Sequence, residues 1–135
     1  MNISNIIDII KDIKNGKIVI IIDDESRENE GDLVCAADLV TPEIINFMAS
    51  KGKGLICLPM SNDLCRKYDL QMMTSNNRAA NKTAFTVSIE AADGITTGIS
   101  AADRAHTIKT TVDKKSIPSE RNKQVIFNFF IFKNY

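Results

Sequence analysis

The chain has 135 residues, 44% of them hydrophobic, with seventeen basic and seventeen acidic side chains. That length suits one domain with room for a core, and the zero net charge excludes a chain drawn to nucleic acid or an anionic membrane by its field alone. The apolar content excludes general disorder, no apolar run is long enough to span a bilayer, and three cysteines (Cys35, Cys57, Cys65) without C-x-x-C spacing fit a reducing cytoplasm better than a disulfide framework.

Residues 4–15 read as an amphipathic helix, with Ser4 as its N-cap, Ile6, Ile9, Ile10 and Ile13 at helical spacing, and Gly16 as its stop. The aliphatic run 17–22 reads as a buried strand, and Leu33 to Ala37 as another, with an acidic loop between them. Thr41-Pro42-Glu43 opens a second helix that presents Ile44, Ile45 and Met48 and ends near Gly52. Residues 54–59 read as a short buried strand stopped by Pro59, and Ser61 caps a short helix carrying Leu64, Cys65 and Tyr68. The Asn- and Met-rich segment 69–82 has no period and reads as a long loop. Residues 84–90 alternate as a strand with Phe85, Val87 and Ile89 on one face. A turn over 94–98 leads into a helix over 100–112. Strands separated by helices indicate an α+β fold, a layered mixed sheet flanked by helices.

Two stretches carry chemistry. The string Asp23-Asp24-Glu25-Ser26-Arg27-Glu28-Asn29-Glu30-Gly31-Asp32 holds six carboxylates in ten residues, with Arg27 the one positive side chain among them. Each carboxylate raises its neighbours' pKa unless a positive charge compensates, and a hard divalent cation such as Mg²⁺, which takes oxygen ligands, is an economical compensator. A solvated charged turn is the alternative, with Arg27 simply paired to Glu30. The second stretch, Thr96-Thr97-Gly98-Ile99-Ser100-Ala101-Ala102-Asp103-Arg104, brings hydroxyls and backbone N–H groups to a helix start. That is an anion site or, equally, a capping box of Ser100 and Asp103 that needs no ligand. Cys57 by itself reads as a core residue, Thr97 as a turn residue, and His106, the one histidine, as a solvated helix position.

These strings, together with Gly54-Leu55-Ile56-Cys57-Leu58 and the Gln71-Met72-Met73 segment with Asn76-Asn77, resemble in the same order the 3,4-dihydroxy-2-butanone-4-phosphate synthases of riboflavin biosynthesis. The resemblance runs over roughly residues 5–119. It implies an α+β homodimer in the cytoplasm that uses Mg²⁺, or Mn²⁺, to convert D-ribulose 5-phosphate to 3,4-dihydroxy-2-butanone 4-phosphate and formate, with no nucleic acid or membrane partner. It further implies that Arg27 and Glu28 bind the sugar phosphate, that Glu28 also ligates the metal, and that Asp32 and Thr97 contact substrate. Glu30, Asp24 and Cys57 take the catalytic positions. The chemistry is coherent: removing a proton beside a carbonyl needs a carboxylate base and a cation for the developing charge.

The chain departs from the family pattern after residue 120. A Pro-Gly-His turn and a Gly-Gly-His-Thr-Glu motif, whose histidine is the family's second metal ligand, do not follow. Residues 121–135 instead form a tail in which twelve of fifteen are Asn, Lys, Ile, Phe or Tyr, the composition expected of a frameshift into an A/T-rich stretch. The expected organisation is an N-terminal, incomplete part of a synthase-like domain over 1–120 and an aberrant hydrophobic tail over 121–135. An inactive, truncated fragment that binds sugar phosphate or metal at most is the alternative to an active lyase.

Overall fold

In the computed structural model the structure describes residues 3–26, 29–79 and 83–116, together with the backbone of 121–122. The first helix, α1 (Ile6–Lys14), starts one residue later than its sequence suggests, because the Asn5 side chain, not Ser4, accepts the Ile7 N–H at 2.9 Å. It ends where Gly16 takes a left-handed φ of 75°, and Lys17 turns back to pair with Asp12 at 2.7 Å. Next comes a hairpin of β1 (Val19–Ile22) and β2 (Gly31–Val34), antiparallel with Val19 opposite Val34 and Ile21 opposite Asp32. The expectation of a buried strand fails here. Only Val19 is buried, whereas Ile20, Ile21 and Ile22 are 63%, 49% and 53% exposed, because the hairpin pairs only with itself among the described residues.

A 3₁₀ turn (Ala37–Leu39) leads to α2 (Pro42–Phe47), whose start is set by the Thr41 hydroxyl accepting the Ile44 N–H at 3.3 Å. The helix relaxes into a π turn (Met48–Gly52) closed by Lys53 at φ 55°. This turn seats the hairpin: a Cβ on Gly52 would lie 3.2 Å from the Leu33 side chain. Residues 54–59 hold buried Ile56 and Leu58 in extended chain but form no continuous strand. Ser61 caps α3 (Asn62–Lys67) as its sequence predicts, burying Cys65 and, just beyond, Tyr68.

Part of the expected long loop is paired. Val87 N–H donates to the Gln71 carbonyl and Met73 N–H to the Phe85 carbonyl, both at 2.9 Å, with a bridge between Met72 and Thr86. The predicted face of Phe85, Val87 and Ile89 is also corrected. Ala84 and Thr86 point inward, then the phase slips by one residue and Ile89 and Ala91 are buried instead. The slip leaves only β3 (Glu90–Ala91) as a ladder strand, antiparallel to β4 (Arg121–Asn122). The rest of the expected tail, 123–135, lies outside the described residues.

The last helix, α4 (Ala101–Val112), packs on α2, on the 3₁₀ turn and on β3. Between them sits the core of Val40, Ile45, Ile56, Leu58, Met60 and Ile108, where each large side chain removed from water contributes roughly 1.5–3 kcal/mol. The class is α+β, and the sheet is represented among the described residues by two antiparallel ladders.

Candidate active site

The acidic loop is the hairpin connection, and its geometry follows from its own short polar side chains. Asp23 N–H donates to the Glu30 carbonyl at 3.0 Å, continuing the ladder one step past Ile22. Asp24 then folds the chain: its Oδ1 accepts the Ser26 N–H at 2.8 Å and the Ser26 hydroxyl at 2.5 Å, an Asx turn. The two Ser26 bonds hold the Asp24 carboxyl below the usual aspartate range. Asn29 closes the loop in the left-handed region, φ 51°, donating its N–H to the Asp24 carbonyl at 3.3 Å. Asp24, Glu30 and Asp32 are all exposed, as suits hydrated carboxylates. Arg27 and Glu28, expected to hold the sugar phosphate and the metal, lie outside the described residues.

Across from this loop, half-buried Cys57 lies close enough to β2 for Asp32 to act on it. Burial first, and then the Asp32 carboxylate, push the thiol up to about 11. Two of the residues named from the sequence, Cys57 and Asp32, therefore share one environment, in which the sulfur stays protonated at neutral pH.

Thr97 sits in the turn between β3 and α4. Ser100 caps α4 as expected, its Oγ accepting the Asp103 N–H at 3.0 Å. The other half of a capping box does not form. The Asp103 carboxylate, only 4% exposed, reaches instead to the preceding turn. Its Oδ1 accepts the Thr96 N–H at 3.1 Å, and its Oδ2 accepts the Thr96 hydroxyl at 2.9 Å and the Gly98 N–H at 3.1 Å. Burial opposes the charge on Asp103, but these bonds and the Ser100 contact outweigh it and hold the carboxyl below its ordinary value. Gly98 turns at φ 77° and lies against Glu90, whose carboxylate occupies the space a Cβ would fill. Thr97 is left exposed at the apex. Sequence reasoning missed this use of Asp103. Its signal was a Thr-Thr-Gly turn five to seven residues ahead of an aspartate in a helix's first turn. His106 is exposed, as read, with its Nε2 2.9 Å from the Asp93 carbonyl.

The loop's donors fit Mg²⁺ better than a softer metal, since they are hard carboxylate oxygens. Among the described residues no three His, Cys, Asp or Glu side chains gather to enclose an ion. Such a donor set suits a cation that keeps most of its waters and takes one or two carboxylates, Glu28 being the loop residue assigned to it.

The sequence pattern of the 3,4-dihydroxy-2-butanone 4-phosphate synthase family matches residues 7–124. A protein of that name from Neisseria meningitidis serogroup B is 59% identical over 119 residues, which are 88% of this chain and 33% of that protein. The riboflavin biosynthesis protein RibBA of Cytophaga hutchinsonii is 48% identical over 89% of this chain and 30% of its own length. The chain thus spans about a third of these curated relatives. A crystal structure of 3,4-dihydroxy-2-butanone 4-phosphate synthase in complex with two magnesium ions superposes with a TM-score of 0.91 at 37% identity, covering 98% of this chain and 61% of that one. With the family pattern running through both the acidic hairpin and the Thr97 turn, the chain belongs to the 3,4-dihydroxy-2-butanone 4-phosphate synthase family.

Proposed function

We propose that this chain carries the acidic-loop and threonine-turn portion of a Mg²⁺-dependent lyase of riboflavin biosynthesis, acting on D-ribulose 5-phosphate to give 3,4-dihydroxy-2-butanone 4-phosphate and formate. The observation that carries the proposal is the family match through both stretches. The proposed setting is the cytoplasm, the proposed assembly a homodimer, and Mn²⁺ the alternative metal; no helix among the described residues is long and apolar enough to cross a membrane.

In this reading Arg27 offers a planar fork to the phosphate oxygens, and Thr97 donates its exposed hydroxyl to the same group. Glu28 holds the metal and the sugar. A divalent ion held there would supply positive charge to offset the negative charge that develops as the proton leaves. The first step, loss of a proton next to the carbonyl, falls to an exposed loop carboxylate, Glu30 or Asp24. Asp32 contacts the substrate hydroxyls. Cys57, with its pKa near 11, takes no part as a thiolate and serves as a neutral wall and weak S–H donor.

The test is formate release from ribulose 5-phosphate by the folded 135-residue chain, with and without Mg²⁺. Mg²⁺-dependent formate that disappears in Glu28→Gln supports the reading. A folded chain that releases none overturns it for this chain, and turnover retained in Glu28→Gln removes that residue from the mechanism.

A further inference from the structure

The threonine turn poses a problem of donors. A phosphate at this turn would ordinarily draw on its backbone N–H groups, yet a buried carboxylate already occupies those of Thr96 and Gly98 and the Thr96 hydroxyl as well. A negative charge placed where an anion is to bind is costly unless it does something else. Here its effect is geometric. Three bonds converge on one side chain that is itself fixed on the first turn of α4, where the dipole favours its charge and Ser100 Oγ holds its own N–H. The residues on either side of Thr97 are thereby tied to one carboxylate, while Thr97 itself stands exposed between them. The Glu90 side chain lies against the other side of Gly98.

We propose that Asp103 is a positioning residue of the substrate site: by bonding Thr96 and Gly98 on either side, it fixes the turn that presents Thr97 to the sugar phosphate. This rests on the assignment of Thr97 to the substrate, made above. Asp103 does not touch substrate. It sets the direction of the one donor side chain in the turn left facing outward, and a hydroxyl held in place binds with less ordering cost than one on a free loop.

The experiment is a titration of the ¹⁵N-labelled 135-residue chain with ribulose 5-phosphate, followed by NMR at the Thr97 amide and at the loop amides of Asp24 and Asn29. Asp103→Asn keeps the size and one acceptor but cannot serve three donors, and Thr96→Val removes only the hydroxyl bond. Binding at Thr97 is expected to weaken about tenfold in Asp103→Asn and about threefold in Thr96→Val, while the Asp24 and Asn29 amides keep their wild-type positions in the free protein. That split marks positioning, since a general loss of structure would move both regions together. Affinity within twofold of wild type in both variants, with the Thr97 amide still responding, overturns the role of Asp103. Loop shifts equal in size to those at the turn assign Asp103 to overall stability and also overturn it. No response at Thr97 in the wild type, with the loop amides responding, overturns the assignment of Thr97 and this inference with it. If Asp103→Asn does not fold, Thr96→Val alone decides: an unchanged affinity overturns the proposal.

Discussion

The hairpin end of the molecule and the α4 end invert the usual association of residue type with burial. Ile20, Ile21 and Ile22 belong to the most aliphatic run in the chain and are 49–63% exposed, while Thr86, Thr107 and Thr111 are 0–2% exposed in the interior. The difference lies in what each backbone is offered. The hairpin satisfies its own ladder, with Val19 its buried hydrophobic among the described residues and Leu33 lying against the π turn. At the other end, each buried hydroxyl has a backbone partner. Ala91 N–H donates to Thr107 Oγ1 at 3.1 Å, and Thr111 Oγ1 donates to the Thr107 carbonyl at 2.7 Å. A threonine so satisfied packs through its methyl group as a valine would, whereas an isoleucine buries nothing unless another surface covers it.

The comparison breaks most visibly in a pair of truncations. Ile45→Ala, at a site 1% exposed, is expected to cost about 3–4 kcal/mol in denaturant unfolding, and Ile20→Ala within about 0.5 kcal/mol. Equal costs would mean that the hairpin face is covered in solution and would end the contrast. Next comes Thr107→Val, nearly identical in shape, which leaves the buried Ala91 N–H without its acceptor. It is expected to cost about 1–3 kcal/mol, and a neutral result would show that another acceptor reaches Ala91. The smallest effect is acid sensitivity. The Asp103 pKa is depressed in the folded state, so its contribution is full above the ordinary value of 3.8 and is lost as pH falls through the lowered one. Unfolding midpoints from pH 6 to pH 3 are expected to fall less steeply in Asp103→Asn than in wild type, and parallel curves would refute it.

What the sequence made legible follows the same division. Caps and stops rest on local chemistry, so Thr41, Ser61 and Ser100 each start a helix as predicted. Burial of 17–22 was misjudged because an aliphatic run reports what a strand would accept, not whether anything packs on it. The face of 84–90 was misjudged because a one-residue slip after Thr86 leaves no trace in alternation. The pairing of Gln71–Met73 with 85–87 was hidden by flexible, unpatterned residues. At the site, the loop and Thr97 were legible as strings. The shared environment of Cys57 and Asp32 was not, since it depends on how the hairpin lies over a segment some twenty-five residues away. Asp103 was legible as a cap but not as the anchor of the turn before it.

Gly98 gives this arrangement a further consequence, for how much sequence drift the turn can absorb. Its N–H is held by a carboxylate from α4, its α-carbon is pressed by a carboxylate from β3, and its φ of 77° is one that side chains resist. The positive φ is the firmest of these constraints, and together they favour glycine at that one position. Thr97 beside it is exposed, and its side chain meets neither carboxylate's demand on Gly98. Side-chain variation in the turn is therefore cheaper for the fold at position 97, where ligand binding is left to select, than at position 98.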